Sequence, residues 1–138
     1  MKFNWFGTID FSGWFSAPES LEYRKSLGDD AIYEYNHNLA LLAANYIADL
    51  LNTQVLGSPS QVGFMSNVEL PINEPYSFDL QFKIEQHILK EYGLRLKLFH
   101  FKDKWYIRLS AQLNLCFEDF KLAGKALKRT LELNLNEL

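Results

Sequence analysis

The sequence predicts an α+β fold, with a short, mainly antiparallel sheet of about three strands covered by helices. Along residues 29–52, apolar side chains recur every three or four positions, a period typical of a helix. Two runs of alternating apolar and polar residues, 94–101 and 105–113, are separated by a short polar segment, as in a β-hairpin. Helical segments before, between and after the strands complete the order expected for helices packed on a small sheet.

Local end signals define three of the helices. A helix over residues 18–27 is predicted because it begins with proline, which suits a first turn, and is followed by glycine. Ser77 is a suitable N-cap for a helix that Gly93 ends. A last helix is predicted over about 117–133, with acids in its first turn and basic residues further along.

The long helix over residues 29–52 is predicted to carry a single apolar stripe. Its members are Ile32, Tyr35, Leu39, Leu42, Tyr46 and Leu50. Asn36, Asn45 and Asp49 fall elsewhere on this helix.

Alternation predicts the strands and assigns a face to each strand residue. The run from Val62 to Leu70 alternates and ends at Pro71, which predicts a strand before the second long helix. One face of the second hairpin strand carries Trp105, Ile107, Leu109, Ala111 and Leu113, and the other carries Tyr106, Arg108, Ser110 and Gln112.

Composition and charge exclude several classes of function. The chain has 138 residues, which suffices for one domain with a hydrophobic core. The net charge is −3 and the basic residues form no run, so no binding to nucleic acid or to an anionic membrane is expected. Cys116 has no second cysteine to pair with, and no signal-peptide pattern opens the sequence, so a cytoplasmic protein is expected. The longest apolar stretch, residues 39–51, is too short to span a bilayer.

The beginning of the sequence is unusually rich in aromatic residues. The rings are those of Phe3, Trp5, Phe6, Phe11, Trp14 and Phe15. Leaving all of them in water is unfavourable, and a chain terminus is normally polar unless it docks on something. The segment therefore either docks on the rest of the chain or packs on a domain outside it. In the second case we expect association of the isolated chain through this segment.

Arg108 is the first candidate for a binding residue. It stands in the middle of the second hairpin strand, where the backbone holds it rigidly. A guanidinium group in such a place can present its planar fork to a carboxylate and donate two hydrogen bonds at once. The alternative is an arginine that pairs with a neighbouring glutamate or extends to water.

The Gly7-Thr8 pair beside Asp10 is a second candidate. A glycine lets an anion approach the backbone closely, and a threonine hydroxyl can donate to a phosphate oxygen. The alternative is a turn that enters a short helix capped by Thr8 or Asp10. His37 and the other histidines lack the spacing of metal ligands, so no metal site and no catalytic residue are predicted.

Five short segments occur in an order known from one enzyme family. They are residues 5–10 (Trp-Phe-Gly-Thr-Ile-Asp), 18–23 (Pro-Glu-Ser-Leu-Glu-Tyr), 32–40 (Ile-Tyr-Glu-Tyr-Asn-His-Asn-Leu-Ala), 68–71 (Val-Glu-Leu-Pro) and 105–112 (Trp-Tyr-Ile-Arg-Leu-Ser-Ala-Gln). The series resembles the C-terminal portion of class V aminotransferase-like proteins, in particular the isopenicillin N epimerase-like branch. The resemblance covers nearly the whole chain.

The resemblance implies a fold, a cofactor and three site residues. Members are fold-type-I pyridoxal-phosphate enzymes, homodimers whose active sites lie at the subunit interface. Thr8 and Gly7 match the pair that binds the cofactor phosphate, and Arg108 matches the arginine that binds the carboxylate of the amino-acid substrate. Residues 29–138 would be the small C-terminal α+β domain, including a linking helix over 29–52. Residues 1–28 would be the tail end of the large cofactor domain.

The sequence also departs from the family. Ile9 stands where relatives commonly carry arginine, and Asn114-Leu115 replaces what is often an aromatic residue followed by asparagine. The large domain, with the lysine that holds the cofactor as a Schiff base, has no counterpart here, and no lysine of this chain matches that lysine. The expected function is therefore that of a C-terminal fragment of such an enzyme, inactive alone, with epimerisation, transamination and C–S lyase activity all left open. The alternatives are a stand-alone binding module that pairs with a full-length paralogue, and a non-functional remnant.

Overall fold

A computed structural model describes residues 8–135 of the chain. The contacts divide the chain into two units, Met1–Ile32 and Tyr33–Leu138, each of which is described by itself. The assignment of residues 1–28 to a large cofactor domain stays a prediction. Among the described residues, no helix is long and apolar enough to cross a membrane.

The first unit contains α1 (Ser12–Phe15), α2 (Ala17–Ser26) and the beginning of α3 (Asp29–Leu51). Proline stands in the first turn of α2, as predicted. Gly28 adopts a φ of 93° between α2 and α3, a left-handed conformation that favours glycine. Neither α1 nor α2 buries any of its side chains.

The second unit contains most of α3 and every strand of the described chain. After a 3₁₀ turn at Pro59–Gln61, the elements are β1 (Met65–Leu70), α4 (Phe78–Tyr92), β2 (Lys97–Phe101), β3 (Lys104–Ser110) and α5 (Phe117–Leu131). The strands form one antiparallel sheet in the order β1-β3-β2. The predicted α+β fold with a small three-stranded sheet is confirmed.

The β2–β3 hairpin turns more tightly than the sequence predicts. Phe101 pairs with Lys104, so the connection has two residues, Lys102 and Asp103. Both have positive φ angles, 48° and 59°. This is the arrangement of a type I′ turn, whose twist matches that of the flanking strands. The tight turn adds Lys104 to β3.

The helices cover one face of the sheet. On that face the core includes Val68 of β1, Leu98 of β2, and Trp105 and Ile107 of β3, all of them buried. Ser66 donates from its hydroxyl to the backbone oxygen of Ala40 on α3, at 3.1 Å. The other face carries the side chains that alternate with these.

The buried face of α3 differs from the predicted stripe. Tyr35 and Leu42 are 42% and 51% exposed, whereas Asn36 is buried. The buried side is formed by Ile32, Asn36, Leu39, Ala40, Ala43, Ala44, Ile47, Ala48 and Leu51. Small alanines allow the neighbouring elements to approach the helix closely, so they occupy the core although large side chains were predicted there. Tyr35 lies at the surface, where its hydroxyl donates to the backbone oxygen of Leu115 at 2.6 Å.

The other helix ends follow the predicted signals. The Ser77 hydroxyl accepts a hydrogen bond from the Leu80 amide at 3.1 Å, and Gly93 ends α4 with a φ of 69°. Gly124 of α5 faces α3, since a Cβ there would lie 3.1–3.3 Å from side-chain atoms of Tyr46, Ile47 and Leu50. This close approach fixes the position of α5, whose first turn borders the candidate site.

Candidate functional site

Arg108 lies in the middle of β3, on the sheet face away from the helices. Its Cα is paired with those of Asn67 on β1 and Lys97 on β2. The side chain is exposed, and within residues 8–135 no hydrogen bond or ion pair joins it to another residue. The alternative left open by the sequence, an arginine paired with a neighbouring glutamate, is therefore not found in the described chain.

Lys97 brings a second positive charge next to Arg108. Side chains directly opposite on antiparallel strands have Cβ atoms about 4.5–5.5 Å apart, and like charges there are destabilising. The Lys97 Nζ lies 3.2 Å from Oε1 of Glu85 on α4, and that same oxygen accepts from the Leu98 amide at 3.0 Å. Because Glu85 is held by these contacts, it compensates Lys97, and Arg108 has no carboxylate partner among residues 8–135.

A groove of about 240 Å³ lies beside Arg108, between the segment entering β2 and α5. Its charged side chains are those of Arg95, Lys97, Arg108 and Asp119. Its apolar wall is formed by Leu94, Leu96, Leu109, Leu115, Phe120 and Ala123. The Asp119 Oδ2 accepts a hydrogen bond from the Cys116 amide at 2.7 Å, so this carboxylate caps α5. The groove therefore combines an excess of positive charge with an apolar wall.

Arg95 is a groove residue that the sequence analysis missed. It precedes the first residue of β2, Lys97, by two positions. The sequence did contain a signal for Arg95. Leucine alternates with Arg95 and Lys97 along residues 94–98, and this alternation places the two basic side chains together on the side opposite the leucines. Arg95, like Arg108, makes no hydrogen bond or ion pair within the part of the chain that the structure describes.

Thr8 is exposed and forms no hydrogen bond to any described residue. Gly7 lies outside the described residues. The Asp10 Oδ1 accepts from the Ser12 amide at 2.9 Å, and this hydrogen bond lowers the pKa of the Asp10 carboxyl from its ordinary value. A turn thus enters the short helix α1, as one alternative predicted, but the N-cap residue is Phe11 rather than Thr8 or Asp10. Thr8 belongs to the first unit and Arg108 to the second.

A larger cavity of about 640 Å³ lies at another part of the second unit. Its wall includes an aromatic cluster in which the Tyr76 ring stacks on His100, with centroids 5.0 Å apart, and tilts against Trp105 at 5.1 Å. The Trp105 Nε1 donates to the backbone oxygen of Glu74 at 2.8 Å. Neither Thr8 nor Arg108 lines this cavity. Its residues are therefore separate from the predicted site.

The histidines contact different parts of the structure. His37 Nδ1 lies 3.3 Å from the backbone oxygen of Gly63, and His87 packs edge to face with Tyr92. Among residues 8–135, no group of three or more His, Cys, Asp and Glu side chains is placed to hold a metal ion.

Comparisons with known proteins give one partial relationship. No protein-family model matches the chain. Over 120 residues, 86% of its length, the chain is 32% identical to hercynylcysteine sulfoxide lyase of Schizosaccharomyces pombe. It spans only 29% of the length of that protein. The relative is a pyridoxal-phosphate-dependent enzyme, so the similarity supports a relationship between this chain and one part of such an enzyme.

Proposed function

We propose that this chain provides the small, substrate-binding domain of a pyridoxal-phosphate-dependent enzyme acting on an amino acid, with Arg108 binding the substrate carboxylate. The observation that carries the proposal is the exposed Arg108 guanidinium, which lies opposite Lys97 and has no carboxylate partner in the described chain. A substrate carboxylate would supply the missing counter-charge. It would accept two parallel hydrogen bonds from the guanidinium fork, which an ammonium group cannot donate in the same geometry.

The position of Arg108 on a strand supports this role. The Cα pairing with Asn67 and Lys97 on both sides holds the backbone of Arg108, so little further order is needed when a carboxylate binds. The buried neighbours Ile107 and Leu109 anchor the strand on the helices. The side chain therefore extends from a rigid base on the sheet face away from them.

Thr8 and Gly7 would contact the cofactor phosphate. The exposed hydroxyl of Thr8, which forms no hydrogen bond to a described residue, suits that contact. Bound pyridoxal phosphate supplies an electron sink for bond cleavage at the substrate Cα. The groups that hold its ring would come from a large domain on the remainder of the enzyme. Of the three reactions left open by the sequence, the lyase reaction is favoured because the relative is named as a sulfoxide lyase.

The carboxylate site can be tested without the cofactor. Propionate is titrated into the labelled chain at low ionic strength, and backbone amide shifts of Lys97, Arg108 and Ser110 are followed by NMR. We expect saturable shifts that Arg108→Gln removes. Arg129→Gln, a matched change at an exposed arginine of α5, should leave the titration unchanged. Equal shifts in the wild type and Arg108→Gln would overturn the proposed role of Arg108.

Exposed aromatic residues support an association function as a second candidate. Trp14 and Phe15 are each 76% exposed in the first unit. A surface of this kind commonly marks an interaction site. We infer that the chain pairs through it with a polypeptide that carries the large domain, either within a homodimeric enzyme or as a module bound to a full-length paralogue.

A further inference from the structure

The groove beside Arg108 contains more positive charge than one carboxylate requires. Arg95, Lys97 and Arg108 line it, against the single carboxylate of Asp119. Glu85 compensates Lys97 at 3.2 Å, and Asp119 is engaged by the Cys116 amide at 2.7 Å. Two guanidinium groups, those of Arg95 and Arg108, therefore remain without a partner among residues 8–135.

The two arginines are placed to bind the two ends of one small molecule. Arg108 is paired with Lys97, and Arg95 stands two residues before Lys97. Arg95 lies just before the paired residues of β2, and its side chain lines the same groove as that of Arg108. Both side chains line the same groove, so a short molecule with an anionic group at each end could bind both.

The apolar wall and the size of the groove restrict the body of such a ligand. Leu109 and Phe120 are buried side chains that border the groove. They suit a chain of methylene groups between the two anionic ends. The volume of about 240 Å³ lies below the roughly 300–1,000 Å³ of pockets for drug-sized ligands, which favours a ligand of amino-acid size.

We propose that Arg95 binds a second anionic group, on the side chain of the substrate, while Arg108 binds the α-carboxylate. The substrate class is then an amino acid whose side chain ends in an acidic group. This inference rests on the proposed function of Arg108 and adds the specificity for the side chain. A second arginine favours a planar, two-oxygen acid group, because its fork matches such a group with two hydrogen bonds.

L-Glutamate and L-glutamine form a matched pair of probes, since they have nearly the same size and differ in the charge at the end of the side chain. Each is titrated into the labelled chain at low ionic strength, and amide shifts around the groove are measured by NMR. We expect glutamate to bind about tenfold more tightly than glutamine, as one added charge-assisted contact would give. Arg95→Gln should remove this preference, so that glutamate and glutamine bind about equally. Arg95→Lys should retain part of it.

Two further variants separate the two proposals. Arg108→Gln should abolish the binding of both amino acids, and Arg129→Gln should alter neither. If both amino acids bind equally in the wild type and both require Arg108, the inference on Arg95 is overturned and the proposed function stands. If binding is undetectable, or does not depend on Arg108, the proposed function is overturned and the inference falls with it. Because Arg95 is exposed, its replacement leaves the core intact.

Discussion

Lys104, the first residue of β3, forms an ion pair with Glu69 of β1 in which Nζ lies 2.7 Å from Oε1. Glu69 is opposite Tyr106, so Lys104 is its diagonal neighbour across the two strands. Gln54 donates to the second carboxylate oxygen at 3.1 Å. The pair thus joins the hairpin end of β3 to the C-terminal end of β1, where the larger cavity lies.

We predict that this pair stabilises the chain over a defined range of pH. The hydrogen bond that Lys104 donates to Glu69 lowers the pKa of the Glu69 carboxyl from its ordinary value of 4.5, and the same hydrogen bond raises the pKa of Lys104 from 10.5. Because folding depresses the pKa of Glu69, the ionised carboxylate stabilises the folded chain at pH values above its unfolded-state pKa. This stabilisation disappears as the pH falls through the folded-state pKa. The lysine contribution is present below its unfolded pKa and disappears as the pH rises through the raised one.

Glu69→Gln should therefore reduce the unfolding free energy at pH 7 and have no effect below the folded pKa of Glu69. Urea denaturation at both pH values measures this difference. Glu74→Gln is the control, because the Glu74 carboxylate forms no ion pair within the described residues. If the Glu69 variant loses the same unfolding free energy at both pH values, the effect comes from packing rather than from charge.

Replacing Arg108 should have little effect on stability. Because its exposed side chain makes no ion pair among the described residues, Arg108→Leu should change the unfolding free energy by no more than about 0.5 kcal/mol. Urea denaturation followed by circular dichroism is the measurement. Leu98→Ala, at a fully buried position, should cost about 2–5 kcal/mol in the same assay. A loss of about 3 kcal/mol for Arg108→Leu would indicate a buried pair instead.

Gly124→Ala should destabilise the packing of α5 on α3. Alanine favours a helix over glycine by about 1 kcal/mol, but overpacking a core costs about 1–3 kcal/mol. The added Cβ would lie 3.1 Å from Leu50 and 3.3 Å from the fully buried Ile47, which has little room to move. We expect a net loss of about 1 kcal/mol in thermal or urea unfolding. Lys125→Ala, at the next and exposed position, is the control; a gain in the glycine variant would contradict the close approach.

Some features of this fold follow from local sequence rules and others do not. Ser77 and Gly93 marked both ends of α4, because caps depend on one or two residues. Alternation placed Arg108 on the outer face of the sheet. The buried face of α3 was predicted only in part: Ile32 and Leu39 are buried as predicted, but hydrophobicity alone favoured Tyr35 and Leu42 over the small alanines. That choice depends on how closely neighbouring elements approach, which only the tertiary structure determines.

The candidate site divides in the same way. Arg108 could be selected from its strand, and the resemblance supplied a role for it. The alternation of residues 94–98 set Arg95 apart from the leucines, but its place beside Arg108 could not be predicted, since the two arginines share a groove only after α5 has packed nearby. Likewise, the compensation of Lys97 by Glu85 depends on the docking of α4 against β2.

The isolated chain should not bind pyridoxal phosphate covalently, because no lysine matches the Schiff-base lysine of the resembled family. Purified protein is titrated with the cofactor, and absorbance near the usual Schiff-base band is recorded. We expect no saturable band that depends on one lysine. Lys97→Arg and Lys104→Arg test whether either of these two lysines of the sheet forms a Schiff base. A saturable band removed by one such change would contradict this prediction.

The aromatic beginning of the chain should promote association. Trp14 and Phe15 are exposed on α1, which buries nothing, so contact between copies would remove this apolar surface from water. We expect concentration-dependent oligomers in analytical ultracentrifugation, and the double change Trp14→Ser and Phe15→Ser should shift them towards monomer. Phe78→Ser, at a residue of α4 that is 71% exposed, is the matched control and should have no such effect. Deletion of residues 1–15 should likewise improve solubility and leave the circular dichroism of the α+β unit intact. If the deletion unfolds that unit, these rings belong to its core and the segment is not an interface.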